Sequence, residues 1–325
     1  YERSTKRTCL AAGTAAIMPS FADGSAGGLA AQRGFTYDAP GGCLDFTRRG
    51  GRAMSHPAVE ADALGYVYPD GTQALHDVSF RIETGRAVAL IGGNGAGKST
   101  LLLHLCGALL PTRGTVRLAG MPITRATVAR ARQMAGLVFQ DPDDQLFMPT
   151  VAEDVAIGPS NAGLPPEVVE RRVAAALERV GLAHLRERPP YRLSAGEKRG
   201  TAIATVLAME PAILVMDEPS THLDPRGRRR LIELLRALPQ TRIIATHDLD
   251  LVLETCDEAL LLSAGRRLAH GPAAALLADE ALMLAHGLER RPRRPCSWPA
   301  PVDSVAPVEP GTILGHDSCT ILVAN

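Results

Sequence analysis

The octapeptide Gly92-Gly93-Asn94-Gly95-Ala96-Gly97-Lys98-Ser99 fits the pattern GxxxxGK[ST]. Few structures can house it. Glycine lets the backbone turn its N–H groups inward around an anion. The pattern acquires meaning only between a strand and a helix. Here the apolar run Ala87–Ile91 precedes it and the helical spacing of Ser99–Leu109 follows. A helix N-terminus at that point adds partial positive charge. Lys98 is then a mobile point charge for β- and γ-phosphates, and the Ser99 hydroxyl a Mg²⁺ ligand. Lysine occurs only at Lys6, Lys98 and Lys198, so 35 − 3 = 32 of the basic residues are arginine. A lysine at 98 is therefore a departure from the chain's default, and a planar guanidinium suits so crowded a loop poorly. A dinucleotide fingerprint is excluded, because GxGxxG is completed from neither Gly93 nor Gly95.

A strand–loop–helix unit calls for more of the same around it. Short apolar runs recur at Gly136–Phe139, Ala212–Met216, Arg242–Thr246 and Glu258–Leu262. Helical periods recur at Glu167–Val180 and Gly227–Leu238. This predicts an α/β fold, a parallel-sheet core covered by helices. In Glu167–Val180 the residues Val169, Val173 and Leu177 share one face, with Ala176 and Val180 beside them. Most of that face is expected to pack on the body of the domain.

Composition narrows the function. The 35 basic and 35 acidic residues cancel, which argues against broad capture of nucleic acid, and none is expected as a partner. Six scattered cysteines without a CxxC pair point away from disulfides and zinc. No apolar run approaches the roughly 18 residues of a membrane span.

Both ends read differently from the middle. Residues 1–53 hold 9 of the 31 glycines, show no sustained period and are followed by Met54. They are expected to be a disordered leader or upstream sequence. A signal peptide, with Lys6 and Arg7 ahead of the weak run Cys9–Met18, is the alternative. Residues 291–325 contain six prolines after a cluster of arginines. They are expected to form a disordered tail, with a basic contact to a membrane surface as the alternative. The patterned domain is then 54–290.

The strand Ala212–Met216 ends in Asp217-Glu218. Carboxylates at the C-terminal edge of a parallel strand lie beside the ligand crevice. Asp217 is suited to the Mg²⁺ shell, and Glu218 to polarising an attacking water.

These residues and their spacing resemble the ATP-binding-cassette (ABC) ATPases, a class of P-loop NTPases. Leu193-Ser194-Ala195-Gly196-Glu197, 23 residues before Asp217 (217 − 194), resembles the LSGGQ signature. Gln140 stands where the Q-loop glutamine would, Leu223-Asp224 resembles the D-loop, and His247 resembles the switch histidine. Tyr68 resembles the aromatic that stacks on adenine. The resemblance runs over about 60–290 and implies a cassette with a parallel-sheet core and a helical subdomain at about 146–200.

It also implies roles. ATP would be bound by Tyr68, Gly92, Gly93, Asn94, Gly95, Ala96, Gly97, Lys98, Ser99 and Thr100. Mg²⁺ would be held by Ser99, Gln140 and Asp217. Glu218, His247 and Gln140 would be catalytic. Ser194, Ala195 and Gly196 would reach the ATP of a second cassette, identical or paralogous, with Asp224 in the D-loop. A segment between Gln140 and Leu193 would pass the motion to integral membrane subunits, which places the chain peripherally at the cytoplasmic face of the membrane. The phrases Tyr68-Pro69-Asp70-Gly71-Thr72 and Gln140-Asp141-Pro142-Asp143-Asp144-Gln145 resemble energy-coupling-factor importers of cobalt, nickel or vitamins. Ala195 in place of a signature glycine, and Glu197 in place of glutamine, depart from the pattern. The first is tolerable at negative φ; the second costs an amide donor. Two alternatives are a soluble non-transport cassette and an inactive regulatory one. Lys98, Asp217, Glu218 and His247 together favour an active ATPase.

Overall fold

A computed structural model describes residues 56–288. The expectations for the leader and the tail fall outside the described residues.

Strand β3, Ala87–Ile91, is buried at all five positions. A strand with no polar face belongs in the middle of a sheet covered on both sides. It pairs in parallel with β8, Thr241–Ala245, and with β9, Glu258–Ser263. The sheet continues in parallel from β8 to β7, Ile213–Asp217, and then to β6, Ala135–Val138. At the other edge β10, Arg266–Pro272, runs antiparallel to β9, giving the order β10-β9-β3-β8-β7-β6. Ala264 and Gly265 join β9 to β10, both at positive φ (45° and 71°). That is the backbone a two-residue primed turn needs. A Cβ at Gly265 would lie 2.5 Å from the Ala74 carbonyl oxygen, so this turn tip excludes a side chain.

A second sheet, wholly antiparallel, has the order β2-β1-β4-β5. Its strands are β1 (Val59–Val67), β2 (Gln73–Ile82), β4 (Arg113–Leu118) and β5 (Met121–Pro122). The parallel sheet was legible in the sequence; this one was not. Register shifts interrupt β1 against both its neighbours, and Ala63 within it sits at φ 47°. The shifts break the period-2 alternation that marks a half-buried strand.

Helix α1, Lys98–Leu105, follows β3, and α2, Val128–Met134, precedes β6. Helix α1 stops four residues before the predicted Leu109. Gly107 adopts φ 65°, and a Cβ there would come within 3.0 Å of Val128 Cγ2, so the chain turns away. Between β6 and β7 the chain leaves the sheet and builds α3 (Val151–Asn161), α4 (Pro166–Arg179) and α5 (Ala195–Leu207). Val173, Ala176 and Leu177 of α4 are buried in one apolar cluster with residues of α3 and α5, and Val169 and Val180 pack on it. The amphipathic face thus serves packing. Helix α6, Pro225–Ala237, leads into β8; α7 (Leu249–Thr255) leads into β9; α8 (Ala273–Ala278) and α9 (Glu280–Ala285) follow β10.

Cys106 lies in the core between the antiparallel sheet and α1. Burial raises its thiol to about 12 and that of Cys256 to about 11. The reacting species is the thiolate. At pH 8 a thiol near 11 is ionised in only about one molecule in a thousand. Iodoacetamide at pH 8 should therefore spare both residues in the folded protein and modify both in urea. Peptide mapping by mass spectrometry separates them from the other cysteines. Rapid labelling of either in the native state would show that its segment opens.

Candidate functional site

The loop Gly92–Gly97 links the buried end of β3 to α1. Gly92 has φ 155°, and a Cβ there would stand 2.3 Å from the Leu262 carbonyl oxygen. Gly97 has φ 98°, and a Cβ would stand 2.8 Å from the Ala74 carbonyl oxygen. Both positions exclude any side chain. The β9–β10 turn braces the loop from outside: Gly265 N–H donates to Ala96 O at 3.1 Å, and Gly265 O accepts from His76 N–H at 2.8 Å.

Lys98 Nζ folds back over the loop and donates to Gly92 O at 2.8 Å and Gly93 O at 3.0 Å. Burial pulls its ammonium below the usual lysine range, while the carboxylates of Glu218 and Asp217 push the other way. Helix α1 packs against β7, which brings the end of that strand within reach of the loop. Tyr68 is tied to the same spot, its hydroxyl 3.0 Å from Thr100 Oγ1 in the first turn of α1. Its ring is held edge-on by Tyr66, centroid to centroid 4.9 Å.

Asp217 closes β7 and Glu218 follows it. Glu218 is buried, at 8% exposure, and stands at φ 46°. For a non-glycine residue that is a strained backbone, of the kind that persists where surrounding structure holds it. What holds it is visible. Glu218 N–H donates to Ala245 O at 2.8 Å. Its Oε2 accepts from Thr246 Oγ1 at 3.3 Å and from His247 N–H at 3.4 Å, and lies 2.8 Å from His247 Nδ1. The fully buried Thr246 is a functional neighbour that the sequence did not reveal. Asp248, next in line, caps α7 through Leu251 N–H at 2.9 Å and takes two bonds from Arg228 of α6, at 2.9 and 3.2 Å. Burial alone would raise the Asp248 carboxyl; the Arg228 bonds overcome this and hold it low. The His247 loop is thereby pinned to α6.

Ser194 and Asp224 head helices of their own. Ser194 caps α5, with Oγ accepting from Glu197 N–H at 3.4 Å and Glu197 Oε2 accepting from Ser194 N–H at 2.7 Å. This is a reciprocal capping box. It gives Glu197 a reason beyond the missing amide donor, since a carboxylate here also suits the helix N-terminus. The backbone and side-chain bonds from Ser194 hold the Glu197 carboxyl below its usual range. Ala195 starts α5 and is not among the positive-φ residues, so the methyl in place of glycine fits. The position of Gly196 is open, with nothing within 4 Å of a built Cβ. Asp224 Oδ1 caps α6 through Gly227 N–H at 2.7 Å.

Gln140 lies exposed two residues beyond β6, which ends at Val138 rather than the predicted Phe139. Its carbonyl oxygen accepts from Arg199 Nη2 of α5 at 2.7 Å. Sequence reasoning assigned Arg199 no place at the site. The loop, Tyr68, Asp217, Glu218 and His247 thus converge, while Ser194 and Asp224 bond within their own helices.

A glycine loop between a parallel strand and a helix, facing acids at the end of the next parallel strand but one, defines a P-loop nucleotide-binding cassette. Residues 75–221 match the family described as ABC transporter. The chain is 57% identical over 237 residues to an ABC transporter ATP-binding protein of Geobacter sulfurreducens, covering 73% of this chain and 95% of the relative. It is 47% identical over 235 residues to the energy-coupling factor transporter ATP-binding protein EcfA of Carboxydothermus hydrogenoformans, covering 71% and 87%. Among solved structures it is similar to cbiO1 of Clostridium perfringens, part of the ABC transporter complex cbiONQ, with TM-score 0.64, 38% identity, and 72% and 96% of the two chains covered. It is also similar to an ATP-binding cassette solved as a dimer in a post-hydrolysis state with ADP and Pi, with TM-score 0.60, 25% identity, and 66% and 98% covered. The chain belongs to the ABC transporter family and is an ATP-binding cassette of it.

Proposed function

We propose that this chain is the ATP-hydrolysing subunit of an energy-coupling-factor importer. ATP would draw two cassettes together and so power uptake of a small solute, cobalt or nickel ions or a vitamin, through separate membrane subunits. The observation that carries the hydrolytic part is the buried Glu218 carboxylate, strained in backbone and held by Thr246 and His247 beside Lys98. The importer part is supported by relatives named EcfA and by the likeness to cbiO1.

The donor set fits Mg²⁺. Ser99 stands in the first turn of α1, Asp217 acts electrostatically on Lys98 beside it, and hydroxyl and carboxylate are hard oxygen donors of the kind Mg²⁺ takes. Gln140 would complete the set through its amide oxygen. Bound there, Mg²⁺ would neutralise charge developing on the phosphate oxygens. The chain's own residues do the rest. Loop N–H groups and the α1 N-terminus bind the phosphates. Lys98 exchanges two carbonyl partners for phosphate oxygens. Tyr68, fixed through Thr100, offers its ring to adenine. Glu218 polarises the attacking water while His247 fixes the direction of its carboxylate. Ser194 and the N-terminal amides of α5 reach the nucleotide of the opposite cassette, by the same helix-terminus chemistry.

The membrane subunit has a candidate seat. A groove of about 430 Å³ runs between α3 and α4, lined by Ala152, Ala156, Leu164 and Val169 with Glu153 and Glu170 at its edge. It lies in the excursion between Gln140 and Leu193 and presents an apolar floor to an incoming helix. No described helix is long and apolar enough to cross a membrane.

Co-expression with the membrane proteins of the neighbouring reading frames tests the reading. The wild-type cassette should co-purify with them in detergent, with ATP turnover. Leu164→Arg should lose the membrane subunits and keep ATP binding. Co-purification untouched by Leu164→Arg would move the docking site elsewhere; a cassette that never meets a membrane protein would overturn the transport reading.

A further inference from the structure

The segment that carries Gln140 is fastened to α5 by side chains far away in sequence. Arg199, 2% exposed, spans two successive carbonyls, with Nη1 donating to Phe139 O and Nη2 to Gln140 O, each at 2.7 Å. Gln145 makes a second tie. Its Oε1 accepts from Phe139 N–H at 3.0 Å, and its Nε2 donates to Ala202 O at 2.8 Å and Thr205 Oγ1 at 2.7 Å. A third lies at the surface, where Lys198 Nζ meets Asp143 Oδ1 at 2.6 Å. Every one of these bonds runs from residues 139–145 to α5 or closes the segment on itself. β6, just upstream, belongs to the sheet through its pairing with β7.

We infer that Arg199 and Gln145 are positioning residues that make residues 139–145 a rigid extension of α5, so that Gln140 moves with Ser194. The inference rests on the proposed roles of those two residues. Gln140 serves the nucleotide of its own chain, and Ser194 heads the same α5 toward the nucleotide of the other. One stiff body then joins two nucleotide sites, and the bend between it and the sheet falls at Val138–Phe139. The energetics favour such a unit. A buried guanidinium is costly unless its donors are used. Burial lowers the Arg199 side chain from its usual range, with Asp141 and Asp217 opposing. The two terminal guanidinium nitrogens are used on successive carbonyls, while Nε is buried without a hydrogen-bond partner among the described residues. Lysine reproduces it less well: an ammonium is one point charge on a flexible stem, whereas the guanidinium offers two nitrogens in a fixed fork.

The test uses Arg199→Lys and, as a milder cut, Gln145→Met, in the full chain. Hydrogen exchange without nucleotide reads the fastening directly. Each variant should speed exchange of the peptide over 139–146 by about tenfold or more, the loss of a charge-assisted or buried bond, and leave β3, β7 and β8 unchanged. Turnover reads the consequence. Arg199→Lys should lower kcat by roughly ten- to a hundredfold, as misplacement of a catalytic group does, with KM for ATP within about twofold. Introduced into a Gln140→Ala background, it should cost little more, because it acts through Gln140. Unchanged exchange over 139–146 overturns the fastening. Losses that multiply in the double variant show that Arg199 does not act through Gln140. Full activity of Gln140→Ala alone would sink the catalytic role proposed for Gln140, while the exchange result still stands or falls by itself.

Discussion

Lys98→Ala should weaken ATP binding by about 10- to 150-fold, the worth of one charge-assisted contact. The ammonium already hangs over the loop, held by Gly92 O and Gly93 O at 2.8 and 3.0 Å. Binding therefore exchanges two weak neutral partners for phosphate oxygens and requires no long reach. The alternative source of affinity is the loop backbone with the α1 N-terminus, which the substitution leaves intact. That term sets the affinity that remains. Folding should change little, since Gly92 and Gly97 keep the backbone shape by their own φ values. Lys98→Arg should not restore the wild-type value, because the fork is broader than the space above a loop where even a Cβ at Gly92 would collide. Calorimetric titration with MgATP, beside thermal melts, measures both. Unaltered affinity in Lys98→Ala would remove the lysine from the phosphate site.

What the sequence disclosed follows from burial. Strand β3, apolar at every position and covered on both faces, lies at Ala87–Ile91 as its pattern predicts. The flanking strands fall one residue from their expected limits. Ala212–Met216 becomes Ile213–Asp217, for example, because the backbone of Asp217 still pairs across the sheet with Ala245. The antiparallel sheet stayed hidden because bulges and a left-handed Ala63 destroy the alternation that would mark it. Contiguous site parts were legible, since a phosphate loop and an acidic strand end are local patterns of residue type. Contacts across the chain were not. Nothing near Tyr68 announces Thr100, and nothing near Gln140 announces Arg199, 59 residues on. Glu197 is the instructive middle case. Read against LSGGQ it is a loss, yet Ser194-x-x-Glu197 is itself a capping-box pattern, which the observed bonds satisfy.

Glu218→Gln should retain ATP binding, lose turnover by about 10²- to 10⁴-fold, the usual worth of general-base assistance, and trap a closed pair of cassettes. The amide has the shape of the carboxylate, and its oxygen can accept from Thr246 Oγ1 and His247 N–H where Glu218 Oε2 does now. The strained φ of 46° is a backbone matter common to both residues. The fold should therefore tolerate the change. What disappears is the basic oxygen that draws the proton of the attacking water, and a negative charge beside the phosphates. Losing that charge also removes one of two carboxylates that act on Lys98, so repulsion of the γ-phosphate falls while Lys98, Ser99 and Asp217 stay in place. Nucleotide that binds the pair better than the single chain shifts the population to the pair. Without hydrolysis there is no step to release it. Light scattering should show a dimer with MgATP and a monomer without, while phosphate release stays near background. Turnover close to wild type would take Glu218 out of the catalytic role. A fully ATP-loaded monomer would count against a closed pair of identical cassettes; dimer formation on adding a paralogous cassette would then identify a mixed pair.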